Sequence, residues 1–82
     1  MPEQMQEVIQ LLCVIEEDHS VPKNIRCRIK TAIDVLSEEK IQPGVRASKA
    51  IEELGAASDE TNLPIYTRTQ IWQVVSLLES AK

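Results

Sequence analysis

The chain has 82 residues and a net charge of −4, and it contains one Trp, one Tyr and no Phe. This length supports one modest core, and a largely aliphatic core favours packed helices over a β-sandwich or barrel. The acidic balance argues against non-specific binding to nucleic acid or to an anionic membrane. No apolar run reaches the roughly 18 residues of a membrane span, and the N-terminal residues lack the basic segment of a signal peptide. We therefore expect a single cytoplasmic domain over residues 1–82.

The first two predicted helices have clear apolar stripes. The first helix, at about residues 3–18, carries Met5, Val8, Ile9, Leu12 and Ile15 at helical spacing. The second helix, at about residues 22–39, opens at Pro22, whose missing amide hydrogen suits a first helical turn. Its stripe consists of Ile25, Ile29, Ala32, Ile33 and Leu36. Both patterns predict amphipathic helices with one buried face.

The third predicted helix, at about residues 43–55, begins at Pro43 and stops at Gly55, a residue typical of helix C-termini. Its stripe consists of Ala47, Ala50, Ile51 and Leu54. The fourth, at about residues 64–80, opens at Pro64. Its stripe consists of Ile65, Arg68, Ile71, Trp72, Val75 and Leu78. This assignment makes Trp72 a core anchor, because an indole covers a large apolar area, and it leaves Arg68 partly buried.

Four helices joined by short loops predict a compact antiparallel four-helix bundle of the all-α class. The alternative is a short helical solenoid, because a loop motif recurs about every 20 residues. Helix-pair repeats are typically about 33 to 47 residues long, so the shorter period favours the bundle.

The recurring motif contains an apolar residue, a proline and an arginine, and acidic residues precede it. Its three copies are residues 21–26, 41–46 and 63–68. We interpret the prolines as helix starts. The arginines are then ties to acidic loop residues or to carbonyls that end a neighbouring helix. The proline-to-arginine gap is shorter in the second copy, so the three side chains are expected to point differently. An anion site formed by converging arginines is the alternative.

Arg68 and Arg46 occupy different places on the predicted helices. Arg68 falls inside an apolar stripe, whereas Arg46 lies at the flank of its helix. Because a buried guanidinium needs its partners, Arg68→Met is expected to lower the melting temperature more than Arg46→Met.

Several motifs occur together as in one known family. They are Ser20-Val21-Pro22, Asn24-Ile25-Arg26, residues 32–36, Val45-Arg46-Ala47-Ser48, Ala50-Ile51, Leu63-Pro64-Ile65, Thr67-Arg68 and Ile71-Trp72. With this combination the whole chain resembles uncharacterised protein family 0147, a set of small archaeal proteins. The resemblance implies a compact all-α four-helix bundle in an archaeal cytosol. It implies no activity, cofactor or catalytic residue.

Residues suited to catalysis or metal binding are sparse. Nucleophilic catalysis needs a thiol or hydroxyl beside a base, and His19 is the single histidine. Cys13, His19 and Cys27 could supply three metal ligands, but no Cys-x-x-Cys or Glu-x-x-His spacing groups them. We therefore expect no enzymatic activity, cofactor or metal, and reduced cysteines.

Two surface patterns are candidate binding sites. Val14, Cys27, Val45 and Leu77 are apolar residues that point away from the predicted core faces. Gathered into one patch, they would form a surface for self-association or for another protein. Scattered singly, they need no explanation.

The second pattern is a basic stripe of Lys23, Arg26 and Lys30 along the second helix. It could pair with the acidic end of the first helix, or contact an acidic partner or nucleic acid. The motifs leave the biochemical function unknown. They favour a protein-interaction or scaffold module, with self-association as one form, and the alternative is a small anion- or nucleic-acid-binding module.

Overall fold

The computed structural model of the chain describes residues 3–81, which form four α-helices and no strand. Helix α1 spans Glu3–Glu16, α2 spans Lys23–Ser37, α3 spans Pro43–Ser58 and α4 spans Ile65–Ala81. Each helix packs against its neighbour in the chain, and α1 also packs against α4. The short connections reverse the chain after each helix, so the helices form a closed antiparallel ring. The prediction of an all-α four-helix bundle is confirmed, and the solenoid is excluded because its ends would not meet.

The core lies along the axis of this ring and is mainly aliphatic. Helices α1 and α2 contribute Met5, Val8, Leu12, Ile15, Ile25, Ile29, Ala32 and Leu36, all buried. Ile9 and Ile33 are partly buried at the flanks of these stripes. The predicted apolar faces of α1 and α2 therefore match the structure.

Helix α3 continues through the predicted stop at Gly55 and ends at Ser58. The φ angle of Gly55 is not positive, and no heavy atom lies within 4 Å of the position its Cβ would take. One turn further on, Ala57 is fully buried in the core and Ser58 is 6% exposed. Their burial favours continuing the helix and outweighs the cost of a glycine inside it. The predicted helix end at Gly55 is wrong.

Helix α4 is rotated relative to the prediction. The core takes Thr67, Ile71, Val74 and Leu78 from it. Ile65 is 80% exposed and Trp72 is 54% exposed, so two members of the predicted stripe face solvent. Apolar side chains occur around most of this helix, and spacing alone therefore does not select one face. The predicted core role of Trp72 is wrong.

The three copies of the repeated motif share one spacing relative to the helix that follows. Each of the next three helices begins two residues after the apolar residue of the motif, which is Val21, Ile41 or Leu63. The arginine is consequently the fourth residue of its helix in all three copies. Nε of Arg26 and Nε of Arg46 each bond the carbonyl five residues earlier, whereas Nε of Arg68 bonds Ser58 O, so the copy that differs is the third and not the second. Pro22 and Pro64 directly precede their helices. In the second copy Gln42 occupies that position, and Pro43 is the first residue of the helix.

Each of these arginines donates hydrogen bonds to main-chain carbonyls. Arg26 Nε bonds Val21 O at 3.0 Å. Arg46 bonds Ile41 O through Nε at 2.6 Å and Leu36 O through Nη1 at 3.3 Å. Arg68 bonds Ser58 O through Nε and Glu60 O through Nη2, both at 3.1 Å. Carbonyls are one of the two partners that the sequence suggests. Leu36 and Ser58 lie in the last turns of α2 and α3, where carbonyls lack a helical partner. Arg46 and Arg68 therefore hold the start of one helix against the end of the preceding one, whereas Arg26 ties the start of α2 to its own loop.

The arginines do not converge on a common anion site. The loop of Arg46 lies at the opposite end of the antiparallel ring from the loops of Arg26 and Arg68. Their burial also differs from the expected order, since Arg46 is 7% exposed while Arg26 and Arg68 are half-buried. The expectation that Arg68 is the more deeply buried residue rested on the wrong rotation of α4.

Arg46→Met should therefore lower stability more than Arg68→Met or Arg26→Met, the reverse of the order expected from sequence. The replacement removes the donor from two carbonyls where water has least access, at about 1–3 kcal/mol for each buried acceptor left unpaired. Urea unfolding of the three single variants measures the order. Equal losses, or the largest loss for Arg68→Met, would contradict this assignment.

Gly55→Ala should stabilise the fold by about 0.5–1 kcal/mol, because the new methyl group meets open space on a helical backbone. In a domain of this size the melting temperature should rise by roughly 2–8 °C. Scanning calorimetry gives the value. A fall in melting temperature would instead place Gly55 in the left-handed conformation of a helix end.

Candidate interaction surface

Helices α1 and α4 carry most of the large apolar side chains that face solvent. Leu11 is 38% exposed, Val14 61%, Ile65 80%, Tyr66 73% and Trp72 54%. Within residues 3–81, Val45 on α3 is the sixth such side chain. We call the five residues on α1 and α4, with the polar residues between them, the α1/α4 surface.

The outer side of α4 follows from the residues that the core takes. With Thr67, Ile71, Val74 and Leu78 inside, a rotation of about 100° per residue places a second row on the opposite side. That outer row is Ile65, Thr69, Trp72 and Ser76. The bonds from Arg68 to the end of α3 hold the first turn in this orientation.

The border between α1 and α4 is closely packed. A cavity of about 50 Å³ lies there, lined by Leu11, Val14, Ile15, Gln70, Gln73 and Val74. Small-molecule sites are typically about 300–1,000 Å³, so this cavity has room for little more than water. The α1/α4 surface suits contact with another surface and does not suit a small ligand.

The α4 part of this surface is almost free of charge. From residue 65 to 78 the one charged side chain is Arg68, whose guanidinium bonds the carbonyls of Ser58 and Glu60. The exposed polar groups of the outer side are the hydroxyls and amides of Thr69, Gln73 and Ser76. Apolar side chains among neutral groups that donate and accept hydrogen bonds are typical of protein interfaces. The nearly charge-free run from 65 to 78 was the sequence signal for this surface.

The four residues predicted as an interaction surface do not gather into one patch. Val14, Cys27 and Val45 are exposed, but Leu77 is partly buried against the core. Cys27 and Val45 each lie in the N-terminal half of their helix, and α2 and α3 are antiparallel. The two residues are therefore about 12 Å apart along the bundle axis by helical rise. Val14 alone belongs to the α1/α4 surface.

The predicted basic stripe lies on α2, with Lys23 and Lys30 exposed and Arg26 half-buried. Arg26 uses its Nε to hold Val21 O, a bond that engages one of the five N–H donors of its guanidinium. Arg28, which the sequence analysis did not single out, lies 3.5 Å from Glu53 and 4.0 Å from Glu60. Partly exposed pairs of this kind contribute about 0–1 kcal/mol.

Groups with possible chemistry are dispersed. Cys13 is a half-buried free thiol on α1, and Cys27 is an exposed one on α2. Over residues 3–81 no three His, Cys, Asp or Glu side chains are arranged to hold a metal ion. The Ser20 hydroxyl and N–H donate to Asp18 Oδ1 at 2.7 and 2.9 Å, which lowers the pKa of Asp18 and closes the first loop. None of the four helices is long and apolar enough to cross a bilayer.

Comparison with known proteins points to one family. Residues 1–81 match the uncharacterised protein family UPF0147. A UPF0147 protein of Thermococcus kodakarensis is 42% identical, with all of both chains covered. One of Methanocaldococcus jannaschii is 41% identical over 92% of this chain and 81% of its own. A crystal structure of a protein of unknown function matches with a TM-score of 0.94 at 40% identity, covering 98% of this chain and 91% of that one.

Trp72→Ala should cost little stability, about 1 kcal/mol or less, because more than half of the side chain already contacts water. The adjacent Ile71→Ala should cost about 2–5 kcal/mol, since Ile71 is fully buried. Urea unfolding of the two variants measures both values. Comparable losses of stability for the two variants would indicate that Trp72 belongs to the core.

Proposed function

Since the chain belongs to the uncharacterised protein family UPF0147, whose description assigns no activity, we propose a function from its surface. The protein is a non-catalytic interaction module that binds another protein surface through the α1/α4 surface. The observation that carries this proposal is the exposure of Ile65 and Trp72 on one side of α4, and of Tyr66 beside them, in a run that has almost no charge.

The size of these side chains supports the proposal. Single exposed apolar residues such as Val45 are ordinary in soluble proteins. A Trp, a Tyr and an Ile within about two turns of one helix are a denser group, and Leu11 and Val14 are exposed on the adjacent helix, where they line a small cavity with Gln70 and Gln73. Aromatic residues of this type are enriched in interfaces, where they supply much of the binding free energy.

The chemistry of the surface supports a binding role without catalysis. The exposed polar members of its α4 part are hydroxyls and amides, which form hydrogen bonds but do not act as acids or bases near neutral pH. A cytoplasmic site of action fits the two free cysteines, since thiols persist in a reducing compartment.

The basic stripe on α2 gives weaker support to binding of anions or nucleic acid. Its central residue, Arg26, is half-buried, and its Nε bonds the carbonyl of Val21. The net charge of −4 also opposes the approach of a polyanion.

Photo-crosslinking at one chosen position tests the proposal. The variant Trp72→benzoylphenylalanine places a reactive ring on the α1/α4 surface, and the matched control places it at Thr31, an exposed residue of α2. Both are illuminated in cytosolic extract of an archaeon that carries the protein. We expect position 72 to form discrete protein adducts, with itself or with another protein, that position 31 does not form. Equal or absent crosslinking at the two positions would contradict the proposal.

A further inference from the structure

We infer that the occupant of the α1/α4 surface is a second copy of this chain, paired through α4 in an antiparallel, two-fold arrangement. This inference rests on the proposed function and specifies its partner. It follows from the charge, the spacing and the alternating size of the residues on the outer side of α4.

The absence of charged side chains from the outer row of α4 makes this the side on which two copies can meet. Each copy carries a net charge of −4, so most ways of bringing two copies together place like charges near one another. The outer sides of α2 and α3 expose ionisable residues, such as Lys30 and Glu52. The outer row of α4 exposes none from residue 65 to 76, so two copies can meet there without pairing like charges.

The spacing of the outer row is that of a coiled-coil seam. Ile65, Thr69, Trp72 and Ser76 follow one another at intervals of four, three and four residues. Alternating intervals of three and four keep a row facing a partner helix along its length. The row therefore has the geometry to pack along a second helix.

The sizes in this row are complementary under a two-fold rotation. An antiparallel pair centred between residues 70 and 71 places Ile65 opposite Ser76 of the second copy, and Thr69 opposite Trp72 of the second copy. Each layer then combines one large apolar side chain with one small hydroxyl-bearing side chain. Alternation of large and small residues across facing helices lets layers interdigitate, and the hydroxyl oxygens can accept hydrogen bonds.

The available area predicts a reversible dimer. The principal extents of the molecule are 32, 19 and 18 Å. Two copies sharing one long side would bury roughly 1,200 Å² in total, the lower end of the range for specific interfaces. We therefore expect monomer and dimer to exchange within an accessible range of protein concentration.

Opposite charges introduced at one position test this arrangement. Thr69 lies beside the two-fold axis, about 10 Å from its copy by typical helix-packing distances. Thr69→Glu and Thr69→Lys, each alone, place like charges together and should raise the dimer Kd at least about tenfold. An equal mixture of the two variants should restore association, because the charges are then opposite.

Thr31→Glu is the matched control. Thr31 and Thr69 are both exposed mid-helix residues whose Oγ1 bonds the carbonyl four residues earlier, at 3.1 and 3.2 Å. The control should leave the dimer Kd unchanged. Circular dichroism verifies that each variant folds, and Ser76→Glu with Ser76→Lys provides a second pair in the same row.

Light scattering from low micromolar to submillimolar protein gives the association constant. The single tryptophan gives an independent readout, because burial of Trp72 should shift its emission to shorter wavelength as concentration rises. A monomer at every concentration, or a dimer unaffected by either charge at Thr69, would overturn the inference. If that monomer still crosslinked another protein at position 72, the proposed interaction function would stand and only the second copy would be excluded.

Discussion

The hydrogen bonds from Arg68 to the carbonyls of Ser58 and Glu60, together with the burial of Ile71, Val74 and Leu78, fix which side of α4 faces water. Apolar residues occur around most of α4, so its sequence pattern allows more than one buried face. Anchoring Arg68 at the end of α3 turns Thr67 and Ile71 inward and leaves Trp72 outside. A contact made to hold two helices together thus also creates the exposed apolar surface.

An arginine bonds main-chain carbonyls at the starts of α2, α3 and α4, and this explains what the sequence could and could not predict. The stripes of α1 and α2 were predictable because each has one apolar face. The repeated motif was visible, but counting from proline hid its regularity, since Gln42 replaces proline in the second copy. The burial of Arg46 depends on its reach across the loop to Leu36, a contact that spacing along one helix does not show.

The exposure of Trp72 has a physical cost that bears on function. A domain of 82 residues buries a smaller share of its surface than a larger protein, and an indole is among the largest apolar groups available to it. Leaving the single tryptophan outside the core forgoes that contribution to folding. Binding through the α1/α4 surface would recover it in an interface, which connects the rotation of α4 to an interaction role.

The central claim is that this protein binds another copy through the α1/α4 surface. Nuclear magnetic resonance of the ¹⁵N-labelled protein during dilution tests this claim most directly. Amide and indole signals are compared between high and low concentration. The account predicts shifts centred on the outer row of α4, with the Trp72 indole among the largest. Shifts centred instead on α2, around Lys23 and Lys30, or no shifts at all, would contradict it.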